Sequence, residues 1–171
     1  MLGRPFTGIF VSRLAQIKAL AQLDILGFIT SPIVTLTAAS TLVREKHAGR
    51  TMSLQLLAGF ATTLPKSTGS GDKYKFVIGL VNTSGSYIVK VGNATDVIQG
   101  TVHTTSDGAA AVLGYNTAAS SDTVTLNGTT TGGLTIGDWF EVTDLKSGVY
   151  AFTGVTSSSG IEATPFSATV S

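Results

Sequence analysis

The chain has 171 residues and a formal net charge of +1; 12% of its residues are charged and 43% are hydrophobic. It contains 26 Thr, 17 Ser and 20 Gly, types that are poor in helix interiors, which excludes an exposed helical bundle. The hydrophobic content excludes a disordered chain. Without cysteine, it has no disulfide framework, no thiolate metal site and no cysteine nucleophile.

The N-terminal segment differs from the rest in charge and in hydrophobic pattern. Residues 1–50 contain six Lys or Arg and two Asp or Glu, a balance of +4; residues 51–171 contain five and eight, a balance of −3. Between residues 10 and 28, apolar side chains recur at helical spacing as far as Gly27, a typical stop signal. The pattern predicts a short amphipathic helix in an N-terminal arm of residues 1–35.

Three interpretations of this helix stay open: a cap on the core of the following domain, a docking element for another protein, or a helix at a membrane interface. The positive charge and the excess apolar surface favour docking, so we expect an anchoring arm. Its predicted partner-contact residues are Arg4, Phe10, Arg13, Leu14, Ile17, Lys18, Leu20 and Leu23.

Three other roles are not expected for the arm: a secretory signal, a membrane span and nucleic-acid binding. Lys18 and Asp24 interrupt the apolar run, which argues against a secretory signal. Gly27 and Pro32 break the long charge-free stretch, which argues against a membrane span. The positive charge is mild and is not interleaved with aromatic residues, so no nucleic-acid partner is expected.

From residue 33 onward the sequence consists of short apolar runs separated by turn-forming residues. The clearest run is residues 74–81, in which Tyr74, Phe76, Ile78 and Leu80 share one face at the period of a strand. Twelve such runs predict strands at residues 33–36, 41–43, 51–57, 61–64, 74–81, 87–91, 97–102, 109–113, 123–126, 139–142, 149–155 and 166–170.

These closely spaced strands have no helical segments between them, and pairs such as Asn127-Gly128 and Asp107-Gly108 are typical of tight hairpins. They predict an all-β domain over residues 36–171, an antiparallel β-sandwich or a jelly-roll-like barrel. Trp139, the single Trp, alternates with Glu141, and this pattern does not decide whether Trp139 faces the core or the solvent. We expect it in the core, because a Trp side chain buries a large area.

Few residues offer catalytic chemistry. His47 and His103 are 56 positions apart, with no zinc-ligand spacing and no nucleophile-elbow motif. His47 is expected in a solvated connection, and His103 where a strand runs into a turn. Asp96, Asp122 and Asp144 could meet a calcium ion together with turn carbonyls, but no calcium-loop motif is present. We therefore expect no catalytic residue, no metal and no cofactor.

Several blocks of the sequence, in order, form a set that spans roughly residues 47–170. They are His47-Ala-Gly-Arg-Thr51, Thr63-Leu-Pro-Lys-Ser-Thr-Gly-Ser-Gly-Asp-Lys-Tyr-Lys-Phe76, Tyr87-Ile-Val-Lys-Val-Gly-Asn-Ala-Thr-Asp96, Asp122-Thr-Val-Thr-Leu-Asn-Gly-Thr129 and Gly137-Asp-Trp139. Together they resemble small virion structural proteins of tailed bacteriophages, of the head-decoration or head-fibre type. The first 35 residues have no part in this resemblance.

The resemblance implies a capsid-bound, often trimeric β-module without catalytic residues. On that basis we expect a non-enzymatic protein that is made in the host cytoplasm and sits on the capsid exterior. Its expected partners are the major capsid protein and copies of itself. A tail-fibre or other receptor-binding β-module is the alternative. A carbohydrate-binding module or an esterase-like enzyme is a third possibility, and it would need an aromatic platform or a catalytic triad.

Overall fold

The structure is a computed structural model that describes residues 33–108 and 111–170. The predicted arm helix and its eight predicted contact residues lie outside this range, and they stay predictions. Residues 33–35, which the predicted domain boundary assigns to the arm, belong to the first strand.

The described chain is built almost entirely of strands. Its twelve strands are β1 Ile33–Leu36, β2 Ser40–Thr41, β3 Arg50–Leu54, β4 Gly59–Thr63, β5 Lys73–Ile78, β6 Ser86–Lys90, β7 Val97–Ser106, β8 Val112–Asn116, β9 Thr123–Leu126, β10 Trp139–Lys146, β11 Val149–Ser158 and β12 Phe166–Ser167. A single helical turn, α1 Arg44–His47, lies between β2 and β3. Each of the twelve predicted runs overlaps one strand, which confirms the all-β prediction; the helical turn was not predicted.

The strands form two sheets that share one hydrophobic core. The larger sheet has the order β1-β3-β5-β10-β11-β7-β8, and the smaller has β12-β9-β6-β4-β2. Alternate residues of the strands point inward, as in β5, where Tyr74, Phe76 and Ile78 are buried. This two-layer arrangement is consistent with the predicted β-sandwich.

The prediction of antiparallel pairing holds for only half of the strand pairs: β5–β10, β10–β11, β7–β8, β6–β9 and β9–β12 are antiparallel. The pairs β1–β3, β3–β5, β2–β4, β4–β6 and β7–β11 are parallel, which also excludes a jelly roll, whose strands pair antiparallel. The reason is the winding of the chain, since β1, β3 and β5 lie in one sheet and β2, β4 and β6 in the other. After each visit to the opposite sheet the chain returns in its original direction, beside the strand it formed earlier.

The Asn127-Gly128 pair also differs from its prediction as a hairpin turn. It follows β9 of the smaller sheet, and the next strand, β10, belongs to the larger sheet, so this turn is a crossing between sheets and not a hairpin. The Asn127 side-chain oxygen accepts hydrogen bonds from the amides of Thr129 and Thr131 at 2.9 and 3.0 Å. The turn is therefore stabilised by its own side chain.

A row of aromatic rings joins the two sheets through the core. Phe76, Phe140 and Phe152 of the larger sheet stack in succession, with centroids 4.9 and 5.3 Å apart. Phe152 then meets Phe166 of β12 edge-on at 5.0 Å. Stacked and edge-to-face pairs add to the stability that burial alone provides. These rings fix the two sheets relative to one another, and with them the side chains that the sheets present outward.

Candidate functional site

The domain has a basic end, which we define as the end of the sandwich where β1, β3, β5 and β7 begin. The strand directions and connections place every described Lys and Arg in the half of the domain nearest this end. They are Arg44, Lys46, Arg50, Lys66, Lys73, Lys75, Lys90 and Lys146. The opposite end, here the far end, has Asp107, Asp138 and Glu162 and no described Lys or Arg. The described Lys and Arg are thus confined to one half of the domain, whereas acidic residues lie in both halves; those nearest the basic end are Glu45, Asp72, Asp96, Asp122, Glu141 and Asp144.

Three acidic residues at the basic end are buried and serve the loops. Asp96, Asp122 and Asp144 are only 2–3% exposed. Asp96 accepts a hydrogen bond from the Ser67 amide at 2.7 Å. Asp122 accepts hydrogen bonds from the amides of Thr169 and Val170 at 2.8 and 3.0 Å. These carboxylates therefore fasten loops and the C-terminal segment.

Asp144 is the most heavily bonded of the three. The loop at residues 67–70 wraps around its carboxylate, which accepts hydrogen bonds from the Gly69 amide at 2.7 Å and from the Ser67 and Ser70 hydroxyls at 2.8 Å each. Burial by itself would raise the pKa of Asp144, but these donors, with the Thr68 amide, hold the pKa well below its usual value. The carboxylate is ionised and already saturated with donors.

No cation site emerges from these carboxylates. Within residues 33–108 and 111–170, no three His, Cys, Asp or Glu side chains cluster as metal ligands would. The oxygens of Asp96, Asp122 and Asp144 face amides and hydroxyls of the loop at residues 67–70 and of the C-terminal segment. In the described chain these residues act as loop anchors.

A shallow depression lies on the outer face of the larger sheet near the basic end, with a volume of about 150 Å³. It is lined by Gly49, Arg50, Thr51, Lys73, Lys75 and Glu141. The strand register brings these residues together, because Lys75 lies between Thr51 on β3 and Glu141 on β10. Lys73 contacts Glu141, with Nζ to Oε1 at 3.3 Å, while the Lys73 side chain stays 62% exposed.

Trp139 belongs to the outer face beside this depression, so its expected core position is wrong. Phe140, Val142 and Asp144 of β10 point inward and are buried, which turns Trp139 and Glu141 outward. The Lys75 ammonium lies 4.7 Å from the centroid of the Trp139 ring, a favourable cation–π contact. The contact keeps Trp139 partly covered and holds Lys75 in place.

The two histidines occupy different places. His47 ends α1, where its Nδ1 lies 3.0 Å from the Val43 amide nitrogen and 2.9 Å from the Val43 carbonyl oxygen. His103 is exposed within β7, which continues to Ser106, so the expected position at a strand end is wrong. The two side chains lie in different elements, α1 and β7.

The far end presents aliphatic side chains on its loops. Leu57, Leu80, Ile136 and Ile161 lie there, with exposed fractions from 37% to 89%. The hydrogen bonds from the Leu80 amide to Leu54 and from the Gly137 amide to Ile78 hold two of these loops against the strand ends. The far end thus combines acidic residues with exposed apolar tips.

The candidate functional features of the described chain were largely missed by sequence reasoning. The depression depends on which strands are neighbours, and β3, β5 and β10 are far apart in sequence. The alternation of Trp139 with Glu141 was a usable signal, because Phe140 and Val142 form the more apolar face of β10.

No helix among the described residues is both long enough and apolar enough to cross a membrane. No known protein family matches the chain, and it has no significant match among curated proteins or solved structures.

Proposed function

We propose that this protein is a non-enzymatic virion structural protein that binds the outer surface of a phage capsid as a decoration or head-fibre protein, anchored by its N-terminal segment. The sequence blocks that resemble such proteins spread over the β-domain, from His47 to Trp139. The partners are the major capsid protein and further copies of the chain, most simply in a trimer, and the site of action is the capsid exterior.

The observation that best supports this proposal is the position of the chain ends in the β-domain. Ile33 begins β1 at the basic end, next to Thr51 of β3. Val170 is held at the same end by Asp122. In this proposal the basic end, where the described chain begins at Ile33, faces the partner, and the far end faces outward.

The composition of the domain suits this role. A rigid module with few charges can be placed next to identical copies without strong repulsion. The buried carboxylates tie the long loops to the strands, as Asp144 does for the loop at residues 67–70. A loop fastened in this way keeps its shape without a disulfide, and the chain has no cysteine.

Deletion of residues 1–30 tests the anchoring role. The deletion leaves β1 intact, since that strand starts at Ile33. We expect a folded β-domain that no longer binds purified particles; its circular dichroism spectrum should keep the β-sheet signal and lose only the helical contribution of the predicted arm helix. Undiminished binding by the truncated protein would contradict anchoring by this segment.

A matched pair of full-length variants sharpens that test. Ile17→Ser removes an apolar side chain from the predicted helical stripe, and Gln16→Ser changes a neighbouring position outside it. Burying an Ile side chain contributes about 1.5–3 kcal/mol. We expect Ile17→Ser to weaken particle binding at least tenfold, by roughly 1.4 kcal/mol or more, and Gln16→Ser to leave it unchanged.

A receptor-binding β-module, such as a tail-fibre domain, is the alternative. The exposed apolar loop tips at the far end, among them Leu57 and Ile136, favour it, because exposed apolar patches often mark binding surfaces. The alternative predicts few copies per particle, whereas a decoration protein approaches the copy number of the shell protein.

A further inference from the structure

We propose that the depression on the outer face of the larger sheet binds a carboxylate side chain of an acidic protein surface, and so gives the β-domain its own contact with the partner. The choice of an acidic protein surface as the partner rests on the proposed function. The carboxylate specificity rests on the residues that line the depression.

The lining has the charge that a carboxylate requires. Of the side chains on the outer face, Lys73 and Lys75 provide two positive charges and Glu141 one negative charge, a formal sum of +1. The Lys73 ammonium forms an ion pair with Glu141 at 3.3 Å, yet much of the Lys73 side chain remains accessible. Ammonium groups form charge-assisted hydrogen bonds with carboxylates, which are stronger than neutral ones.

The cationic groups are also held in place before any ligand arrives. The Lys75 ammonium rests over the Trp139 ring at 4.7 Å, and Lys73 is held by Glu141. Both lysines project from β5, a central strand that pairs with β3 and β10. Fixing flexible side chains in advance lowers the entropy cost of binding. Trp139 thereby acts as a positioning residue for Lys75.

Charge complementarity selects an acidic protein as the occupant. All described Lys and Arg lie in the half of the domain nearest the basic end, and three of the six acidic residues there are buried and accept hydrogen bonds from backbone amides of other segments. The depression of about 150 Å³ suits a single side-chain head group and not an extended polymer groove. Nucleic-acid binding, by contrast, depends on many phosphate contacts along a basic stripe.

The direct test measures binding of poly-L-glutamate to the full-length protein by calorimetry. The probe variants are Lys73→Gln and Lys75→Gln. The matched controls are Lys66→Gln and Lys90→Gln, which remove the same charge at the same end but outside the depression. We expect each probe variant to weaken binding about fivefold and each control less than about twofold, as for partly exposed ion pairs. Equal weakening in all four variants, or no binding by the parent, would overturn the site.

Two Trp139 variants test the positioning role. Trp139→Leu removes the ring beneath Lys75, whereas Trp139→Phe keeps an aromatic face. We expect Trp139→Leu to weaken poly-L-glutamate binding about threefold and Trp139→Phe to restore most of it, because a cation–π contact at a partly exposed site is modest in size. Equal affinities of the two variants would show that the ring does not position Lys75.

Particle binding separates this inference from the proposed function. If Lys73→Gln and Lys75→Gln bind particles as well as the two controls do, the carboxylate site is refuted while the capsid role stands. If the parent binds poly-L-glutamate through the depression but does not bind particles, the site stands and the capsid role is refuted. Binding of inorganic phosphate at the same lysines, with equal affinity, would refute the carboxylate specificity.

Discussion

The amide nitrogen of Gly69 lies 2.7 Å from Oδ1 of Asp144, a residue 75 positions further along the chain. Around this contact the loop at residues 67–70 turns its amides and hydroxyls onto one buried carboxylate. A single side chain of β10 thereby organises the loop that leads into β5. The loop borders the basic end, so its order affects the surface that we assign to partner binding.

Asp144→Asn tests this relationship. The amide side chain keeps the size of the carboxylate but loses the charge and turns an NH2 group towards the loop donors. We expect a loss of about 3 kcal/mol in the free energy of unfolding, because buried donors to a charged acceptor are left unsatisfied. Urea denaturation measures it. Asp107→Asn, at an exposed position, is the control and should change stability by less than about 0.5 kcal/mol.

The same carboxylate makes stability depend on pH. The pKa of Asp144 is lowered in the folded protein by its hydrogen bonds, whereas an unfolded Asp titrates near about 3.9. The ionised group therefore stabilises the fold above about pH 4, and that stability is lost as the pH falls from there towards the folded pKa. Urea midpoints should fall more steeply below about pH 4 in the parent than in Asp144→Asn. Parallel curves would contradict the assignment.

Substitutions at two glycines with positive φ distinguish the cost of backbone strain from the cost of a steric clash. Gly59, at φ +64°, opens β4, and a Cβ there would meet the Ser86 carbonyl oxygen of the neighbouring strand at 2.3 Å. Gly71, at φ +77°, has no atom within 4 Å of the same position. We expect Gly71→Ala to cost about 1 kcal/mol from strain alone, and Gly59→Ala at least twice that. Thermal unfolding of both variants provides the comparison, and equal costs would contradict close approach at Gly59.

The sequence predicts the location of the strands because apolar alternation and turn residues are local signals. It does not predict their partners: β5 pairs with β3 and β10, and Lys75 therefore meets Thr51 and Glu141. In the helical turn α1 the Val43 amide donates to Nδ1 of His47 and the Ala48 amide donates to the Arg44 carbonyl. The turn has no apolar stripe, so the sequence does not indicate it. The sequence does not distinguish Asp144 from other polar residues, because its hydrogen-bond donors belong to the loop at residues 67–70, which is distant in sequence.

The two histidines are expected to be dispensable. His103 is exposed on β7, and the His47 side chain forms its hydrogen bonds with the Val43 backbone. His47→Ala and His103→Ala should each change stability by about 1 kcal/mol or less and leave particle binding intact. Assays with ester and glycan substrates complete the test. Hydrolysis by the parent that disappears in either variant would overturn the non-enzymatic account.

Self-association follows from the proposed role. The chain is weakly charged, with 12% charged residues, so identical copies meet little repulsion, and cyclic symmetry is common among such assemblies. Analytical ultracentrifugation of the full chain at micromolar concentration should give the mass of three copies. A monomer throughout that range, together with no threefold density on particles, would contradict the trimer.

The number of copies per particle tests the capsid role most directly. Quantitative mass spectrometry of purified particles compares peptides of this chain, such as those from the β-domain, with peptides of the major capsid protein. A decoration or head-fibre protein on the capsid exterior predicts a copy number that approaches that of the shell protein. Absence from purified particles would contradict the account, and a few copies per particle would favour the receptor-binding alternative instead.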